Sequence, residues 1–320
     1  MIAAARLRSR VAILTDETGW HTRKLRLALA ARGFEGRCAD LADCRFDSRS
    51  PTGLVIPGFG RELPIAAIVR GIAGGSLEQI TKRLGILHAL RESGVPVYND
   101  ARAIERSVDK SMTSFLLARA GIDTPPAWAL ESVVQARRIM MREASAGHCL
   151  VLKPMFGSQG RGLVRVGLVD GESVQLPDLA DFGRLAYLQR YVPPPPGGGY
   201  DWRVLVVGGR AIAAMQRHSR HWIRNIARGA RSVAAPLTPA LAEISESAAA
   251  ALGMDYAGVD LLPDPGTRCG LQVMEVNGVA AWRALQRVSG VDIAQAIVDD
   301  LLARRLGIAP GDVPIRDGVG

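Results

Sequence analysis

Two acidic side chains and an amide stand where they can share one cation. Asp260 lies in Ala257-Gly258-Val259-Asp260-Leu261-Leu262, bracketed by apolar residues, and Glu275 and Asn277 lie in Val273-Met274-Glu275-Val276-Asn277-Gly278. Residues two apart on a strand face the same side. A carboxylate buried among apolar neighbours is costly unless it is paired or metal-bound. Two carboxylates and an amide oxygen on adjacent strands form the hard-oxygen set that magnesium takes, with positions left open for phosphate oxygens. Alone, Glu-x-Asn more often ends a strand with surface hydrogen bonds.

A second segment could meet the phosphates. Val151-Leu152-Lys153-Pro154 runs into a loop with Gly157, Gly160 and Gly162, where backbone N–H groups can approach phosphate oxygens while the lysine neutralises them. The lysine precedes the glycines, so this is not a Walker A loop. By itself the segment reads equally as a mobile turn beside a solvated lysine. Lys110 opens a helix that Asp109 can cap, Asp201 and Arg203 share one side of a strand start, and Arg224, Asn225 and Arg228 form a polar cluster before Gly229. Each of these alone reads first as surface. His218 and His221 have no third histidine or cysteine nearby, which argues against zinc. A Gly-x-Ser-x-Gly elbow and a Gly-x-Gly-x-x-Gly fingerprint after the first strand are both missing, which argues against a serine hydrolase and a dinucleotide-binding domain.

The elements that must position these residues fall into two styles. Val11–Leu14 and Ala66–Val69 are apolar runs suited to buried parallel strands, separated by helical spacing through Leu25, Leu29 and Ala30. A helix is predicted from about Leu77 to Glu92 before Val95–Tyr98, and Leu54–Ile56 with Gly60–Leu63 reads as a small hairpin. After a helix from Asp109 to Ala120, strand candidates at Cys149–Lys153, Leu163–Val166, Tyr187–Tyr191, Arg203–Val207 and Ala211–Gln216 are joined by glycine-rich turns, as in antiparallel sheet. Gly208-Gly209 reads as a hairpin turn and Pro193–Gly199 as an exposed loop. A helix over 239–252, strands Tyr256–Leu262 and Gln272–Val276 and a closing helix over about 291–306 complete the chain. The expectation is an α/β fold: an N-terminal open parallel-sheet lobe (1–105), a central α+β lid (106–192) and a C-terminal metal- and substrate-binding unit (193–320).

The 320 residues suffice for several lobes, and 48% hydrophobic content argues against disorder. The arginine-rich start lacks an apolar stretch and no segment is long and apolar enough for a membrane span, so a cytoplasmic protein is expected. Its four cysteines show no Cys-x-x-Cys spacing and are read as reduced, mostly buried thiols. The formal charge of +9 is spread along the chain, which favours small anionic ligands over nucleic acid. Only four of the 40 basic residues are lysines: Lys24, Lys82, Lys110 and Lys153.

In order, Val108-Asp109-Lys110, Lys153 through Gly162, Leu188-Gln189-Arg190-Tyr191, Asp201-Trp202-Arg203, Ala257–Asp260 and Met274–Asn277 resemble the motifs of the ATP-grasp superfamily, specifically its RimK-type α-L-glutamate ligases. Gly75–Thr81, Gly94–Asn99, Trp222–Arg228 and Asn277–Gln286 resemble the branch that adds glutamate to tetrahydromethanopterin. The resemblance implies an ADP-forming ligase that adds L-glutamate to an acceptor carboxylate through an acyl phosphate, using ATP and two Mg2+ (or Mn2+) ions. It implies Lys110 and Lys153 on the phosphates, with Gly157, Ser158 and Gly160 in a loop closing over them. Backbone groups of Gln189, Arg190 and Tyr191 would hold the adenine edge, with Asp201 near the ribose and Arg203 near the transferred phosphate. Asp260, Glu275 and Asn277 would hold metal, Asn225 would join Lys153 and Arg203 in catalysis, and Arg70, Arg224, Asn225 and Arg228 would take substrate carboxylates. A homo-oligomer (dimer or tetramer) is also implied. Two departures stand out: Arg190 replaces a common glutamate, and Arg224 replaces an expected small hydroxyl residue. The rival readings are a ligase acting on a protein C-terminus or on another polyglutamated cofactor such as a methanofuran analogue, and an idle nucleotide- or nucleic-acid-binding protein.

Overall fold

The computed structural model describes residues 9–157, 160–194, 199–224, 226 and 229–309. Its first part comprises β1 (Arg10–Leu14), α1 (Trp20–Ala31), β2 (Glu35–Ala39), the short strands β3 (Arg45–Phe46) and β4 (Leu54–Val55), β5 (Ala66–Val69), α2 (Leu77–Glu92) and β6 (Val97–Tyr98). Four of these strands form a parallel sheet in the order β2-β1-β5-β6. Every residue of β1 and β5 is buried, which is why they read as unbroken apolar runs. Ser76 and Gln79 form a reciprocal cap that starts α2. The hairpin expectation needs correction: Leu54-Val55 pairs with Arg45-Phe46, and 60–63 is turn. Gly58 and Gly60, both at positive φ, bend the chain away before a return strand can form.

Next come α3 (Ala101–Val108) and α4 (Lys110–Arg119). The Asp109 carboxylate accepts from the N–H groups of Ser111 and Met112, which fixes Lys110 at the first helical position.

A second sheet follows from β7 (Ala127–Leu130), α5 (Val133–Ser145), β8 (Cys149–Lys153), β9 (Val164–Val169), β10 (Glu172–Val174) and β11 (Ala186–Arg190). It is antiparallel, in the order β10-β9-β8-β11-β7. The third is built from β12 (Gly199–Val207), β13 (Arg210–Ser219), β14 (Arg231–Ala234), α6 (Pro239–Leu252), β15 (Tyr256–Pro263) and β16 (Leu271–Asn277), in the antiparallel order β14-β13-β12-β15-β16. The chain then runs through α7 (Arg283–Val288) and α8 (Ile293–Asp300), which continues into a π-helical turn at Leu301–Arg305, so the closing helix spans close to the expected 291–306 with its last turn widened.

One apolar cluster joins the first and third sheets, with Val11, Ile13, Leu25 and Ile68 packed with Leu205, Tyr256, Trp282 and Ile297. Asn99 adds a polar tie there, donating to Tyr256 O and Gly278 O and accepting from the N–H groups of Asp255 and Tyr256. The second sheet has its own cluster, centred on Ala136, Met140, Leu150, Leu152, Val166 and Leu188. Of the four cysteines only Cys44 is buried and Cys269 is exposed. That corrects the expectation of mostly buried thiols: Cys269 sits in the turn between β15 and β16, away from any core. No helix among the described residues is long and apolar enough to cross a membrane.

Candidate functional site

Residues of the second and third sheets, with Lys110 of α4, line a cleft. Lys153 enters it from the end of β8, and its Nζ donates to Gln189 Oε1 on the neighbouring β11. Lys110 enters from α4, and its Nζ donates to Met155 O at 2.9 Å and Gly157 O at 3.1 Å. Burial lowers the proton affinity of both lysines against the pull of Glu275, and Lys110 adds to the drop at Lys153, which is pushed down to about 8. Two cations and a carboxylate therefore act on one another across the cleft, which suits a polyanionic ligand. Gln189 is 1% exposed, and its Nε2 has no partner among the described residues. That buried donor is open to a ligand acceptor.

The acidic end depends on strand irregularity. Asp260 faces Glu275 across β15 and β16, and Gly258 faces Asn277. The register slips between Asp260 and Leu261, leaving Met274 as the extra residue, and a bulge of this kind re-aims side chains next to a site. Asn277 Nδ2 donates to Glu275 Oε1 at 3.1 Å. Burial and the charge of Asp260 push the Glu275 carboxyl up. Burial opposes ionisation of Asp260 too, but Arg203 and Arg217 outweigh it and hold that carboxyl well below the usual range. Arg203 donates to both Asp260 oxygens, through Nη2 at 2.7 Å and through Nε. Arg217, 4% exposed, joins Asp260 (3.0 Å) to Asp201 (2.7 Å). Asp260 and Glu275, with the Asn277 amide beside them, fit a divalent cation by donor chemistry. No third histidine, cysteine or carboxylate joins them among the described residues, so the third oxygen donor is the amide.

The structure thus brings Lys110, Lys153, Gly157, Gly160, Gln189, Arg190, Tyr191, Asp201, Arg224, Asp260 and Glu275 to one cleft, with Asn277 bonded to Glu275. Ser158, Asn225 and Arg228 lie outside the described residues. Arg203 stands behind Asp260 instead of on the wall. Arg70 is elsewhere, donating to Tyr256 Oη and Ala280 O at the edge of the first sheet. The Arg190 side chain grips Glu143 of α5, with Nη2 to Oε2 at 2.7 Å, so its guanidinium has a structural partner while its backbone borders the cleft. Arg224 is 6% exposed, and its Nε has no partner among the described residues. Arg217 and Glu143 belong to the site's framework without any motif that marks them.

Residues 107–301 match the RimK-like ATP-grasp domain. Over 322 residues the chain is 31% identical to the tetrahydromethanopterin:alpha-L-glutamate ligase of Methanosarcina acetivorans, covering 90% of this chain and 97% of that one. The ligase of the same name from Methanococcus maripaludis is 37% identical over 241 residues, 74% of this chain and 78% of its own. Among solved structures, the ATP-grasp ligase PsnB in complex with minimal precursor, Mg and ADP superposes with a TM-score of 0.67 at 22% identity, over 93% of this chain and 97% of that one. That last likeness is one of fold.

Proposed function

The chain belongs to the RimK-like ATP-grasp family, and on that premise we propose that it joins L-glutamate to a carboxylate of a tetrahydromethanopterin-type one-carbon carrier, with ATP converted to ADP and phosphate. The acceptor class comes from the names of its relatives over most of both chains. The observation that carries the chemistry is the gathering of Lys110, Lys153, Asp260 and Glu275 along one cleft.

Lys110 and Lys153 would hold the phosphates, and Asp260, Glu275 and Asn277 would hold two magnesium or manganese ions. Bound there, such ions would supply charge neutralisation to the phosphates. Transfer of the γ-phosphoryl group to the acceptor carboxylate breaks the terminal P–O bond of the triphosphate and forms an acyl phosphate. The glutamate amine then attacks the acyl carbon, phosphate leaves, and the amine loses a proton. Such chemistry depends on alignment and charge more than on a protein base. Lys153 stands where negative charge gathers, Arg203 acts from behind by holding Asp260, Arg224 offers a buried guanidinium to a substrate carboxylate, and the second sheet acts as the lid that excludes water. Under this reading 1–105 is the N-terminal α/β lobe, 106–192 the lid and 193–320 the metal- and substrate-binding unit.

The test is ADP release from purified protein with pterin, furan and peptide acceptors, each with and without L-glutamate. Glutamate-dependent release with the pterin is expected, and Lys153→Met should lower it at least ~100-fold, the scale of losing one charge-stabilising donor. Release with a peptide acceptor alone would overturn the acceptor, and full activity in a folded Lys153→Met protein would overturn the site.

A further inference from the structure

Two buried hydrogen-bond donors without acceptors among the described residues lie outside the cleft, at the carboxyl edge of the first sheet. From β1 the chain passes to β2 on one side, while β5 lies on the other, and open parallel sheets bind ligands in the crevice such a divergence leaves. His21, in the first turn of α1, packs edge-on to Trp282 with ring centroids 4.8 Å apart, and Trp20 packs against both. His21 Nε2 accepts the backbone N–H of Trp282 at 3.1 Å, which leaves the ring hydrogen on Nδ1. Trp282 is 1% exposed, and its Nε1–H has no acceptor among the described residues; nor has the buried Nε–H of Arg70. Arg70 and Arg283 both act on the His21 ring, which burial already keeps neutral. A buried donor left without an acceptor loses the hydrogen bond it made to water, so a ligand that brings acceptors is favoured here.

One carboxylate, that of Asp16, lies at the same carboxyl edge, in the turn that follows β1. A Cβ on Gly71 would overlap Asp16 Oδ1, so glycine is what admits that side chain against the residue that follows Arg70. Donors for a carboxylate next to an acceptor for an ammonium match a free amino acid. The crevice also neighbours the reacting end of the cleft: Ala280, whose carbonyl Arg70 holds, packs with Arg203 against Gly258.

We propose that Arg70, His21 and Trp282 bind a carboxylate of the amino-acid substrate and that Asp16 meets its amino group. The inference rests on the ligase reading, under which the amino acid is L-glutamate. Trp282→Phe and His21→Phe each remove one N–H donor and keep a ring, and Asp16→Asn alters an exposed residue that has little to do with folding. Each should raise the KM for L-glutamate about tenfold in the ADP-release assay while the KM for ATP stays put. A glutamate KM unmoved in Asp16→Asn and in whichever aromatic variant folds would overturn the proposal. Should the wild type show no glutamate-dependent ADP release, the ligase reading fails and calorimetric titration with L-glutamate decides the crevice. Heat in the wild type that is lost in Asp16→Asn supports it, and no heat in the wild type overturns it.

Discussion

Glu275→Gln should make the protein more stable and less useful at once. Asp260 and Glu275 are directly opposed across β15 and β16, where facing side chains stand about 5 Å apart. At an effective dielectric of about 20, two like charges at that separation repel by about 3 kcal/mol. Arg203, Arg217 and Lys153 offset part of this, so neutralising Glu275 should return about 1–2 kcal/mol in the absence of divalent metal. For a chain of this length that is a rise of about 1–3 °C in Tm. With Mg·ADP at a hundred times its Kd, the wild type gains about 2.7 kcal/mol by mass action and the variant, lacking a metal ligand, gains far less. The melting order therefore inverts between EDTA and Mg·ADP. Thermal unfolding in both buffers, alongside ADP release, reads the effect. A variant that melts below the wild type in EDTA, or that gains as much from Mg·ADP, would refute the reasoning.

Arg217→Met leaves Asp201 without its bidentate partner in a buried setting, and breaking such a pair costs about 3–5 kcal/mol; denaturant unfolding should show it, while Arg217→Lys should retain more of the stability. Gly258→Ala sets a methyl 2.9 Å from Ala280 Cβ and 3.1 Å from Arg203 Cδ, so a stability loss of about 1–3 kcal/mol and a lower kcat are expected from the shifted arginine. His21 titrates near 4 in the fold against 6.5 ordinarily, chiefly through burial. Its contribution is present above pH 6.5 and is lost as the pH falls from 6.5 towards 4, because the unfolded chain binds the proton first. After discounting for screening of the half-buried ring, that is about 1–2 kcal/mol, and His21→Phe should flatten this part of the stability–pH curve.

Much of the site was legible because short motifs carry it. Lys153 ends a strand before a glycine loop, and Glu275 and Asn277 alternate to one face, so residue type and spacing sufficed. The buried strands β1 and β5 were equally plain, since both faces are covered. Arg217 was hidden by register. Beyond the Gly208-Gly209 turn, β12 and β13 slip by one residue between Leu205 and Val206, and this slip sets Asp201 opposite Arg217; an unbroken ladder would set it opposite Gln216. Helix α5 was overlooked because its apolar stripe is thin, with Ala136 and Met140 buried beside the polar Glu143. The partnership of Glu143 with Arg190 explains both that buried acid and the arginine's departure from the common glutamate, but it spans 47 residues and leaves no local trace. The mistaken hairpin shows the same limit, because two-residue strands hold too little alternation to name their partner.

The separate packing of the second sheet has a dynamic consequence. Since the first and third sheets share one apolar cluster while Met140 and Leu188 belong to another, the first two should move together and the second sheet apart from them. Amide hydrogens of β8, β9 and β11 should accordingly exchange with solvent as a single cooperative block, sooner than those of β12 and β15. A nucleotide, touching both walls at once, would slow that exchange and make one body out of two.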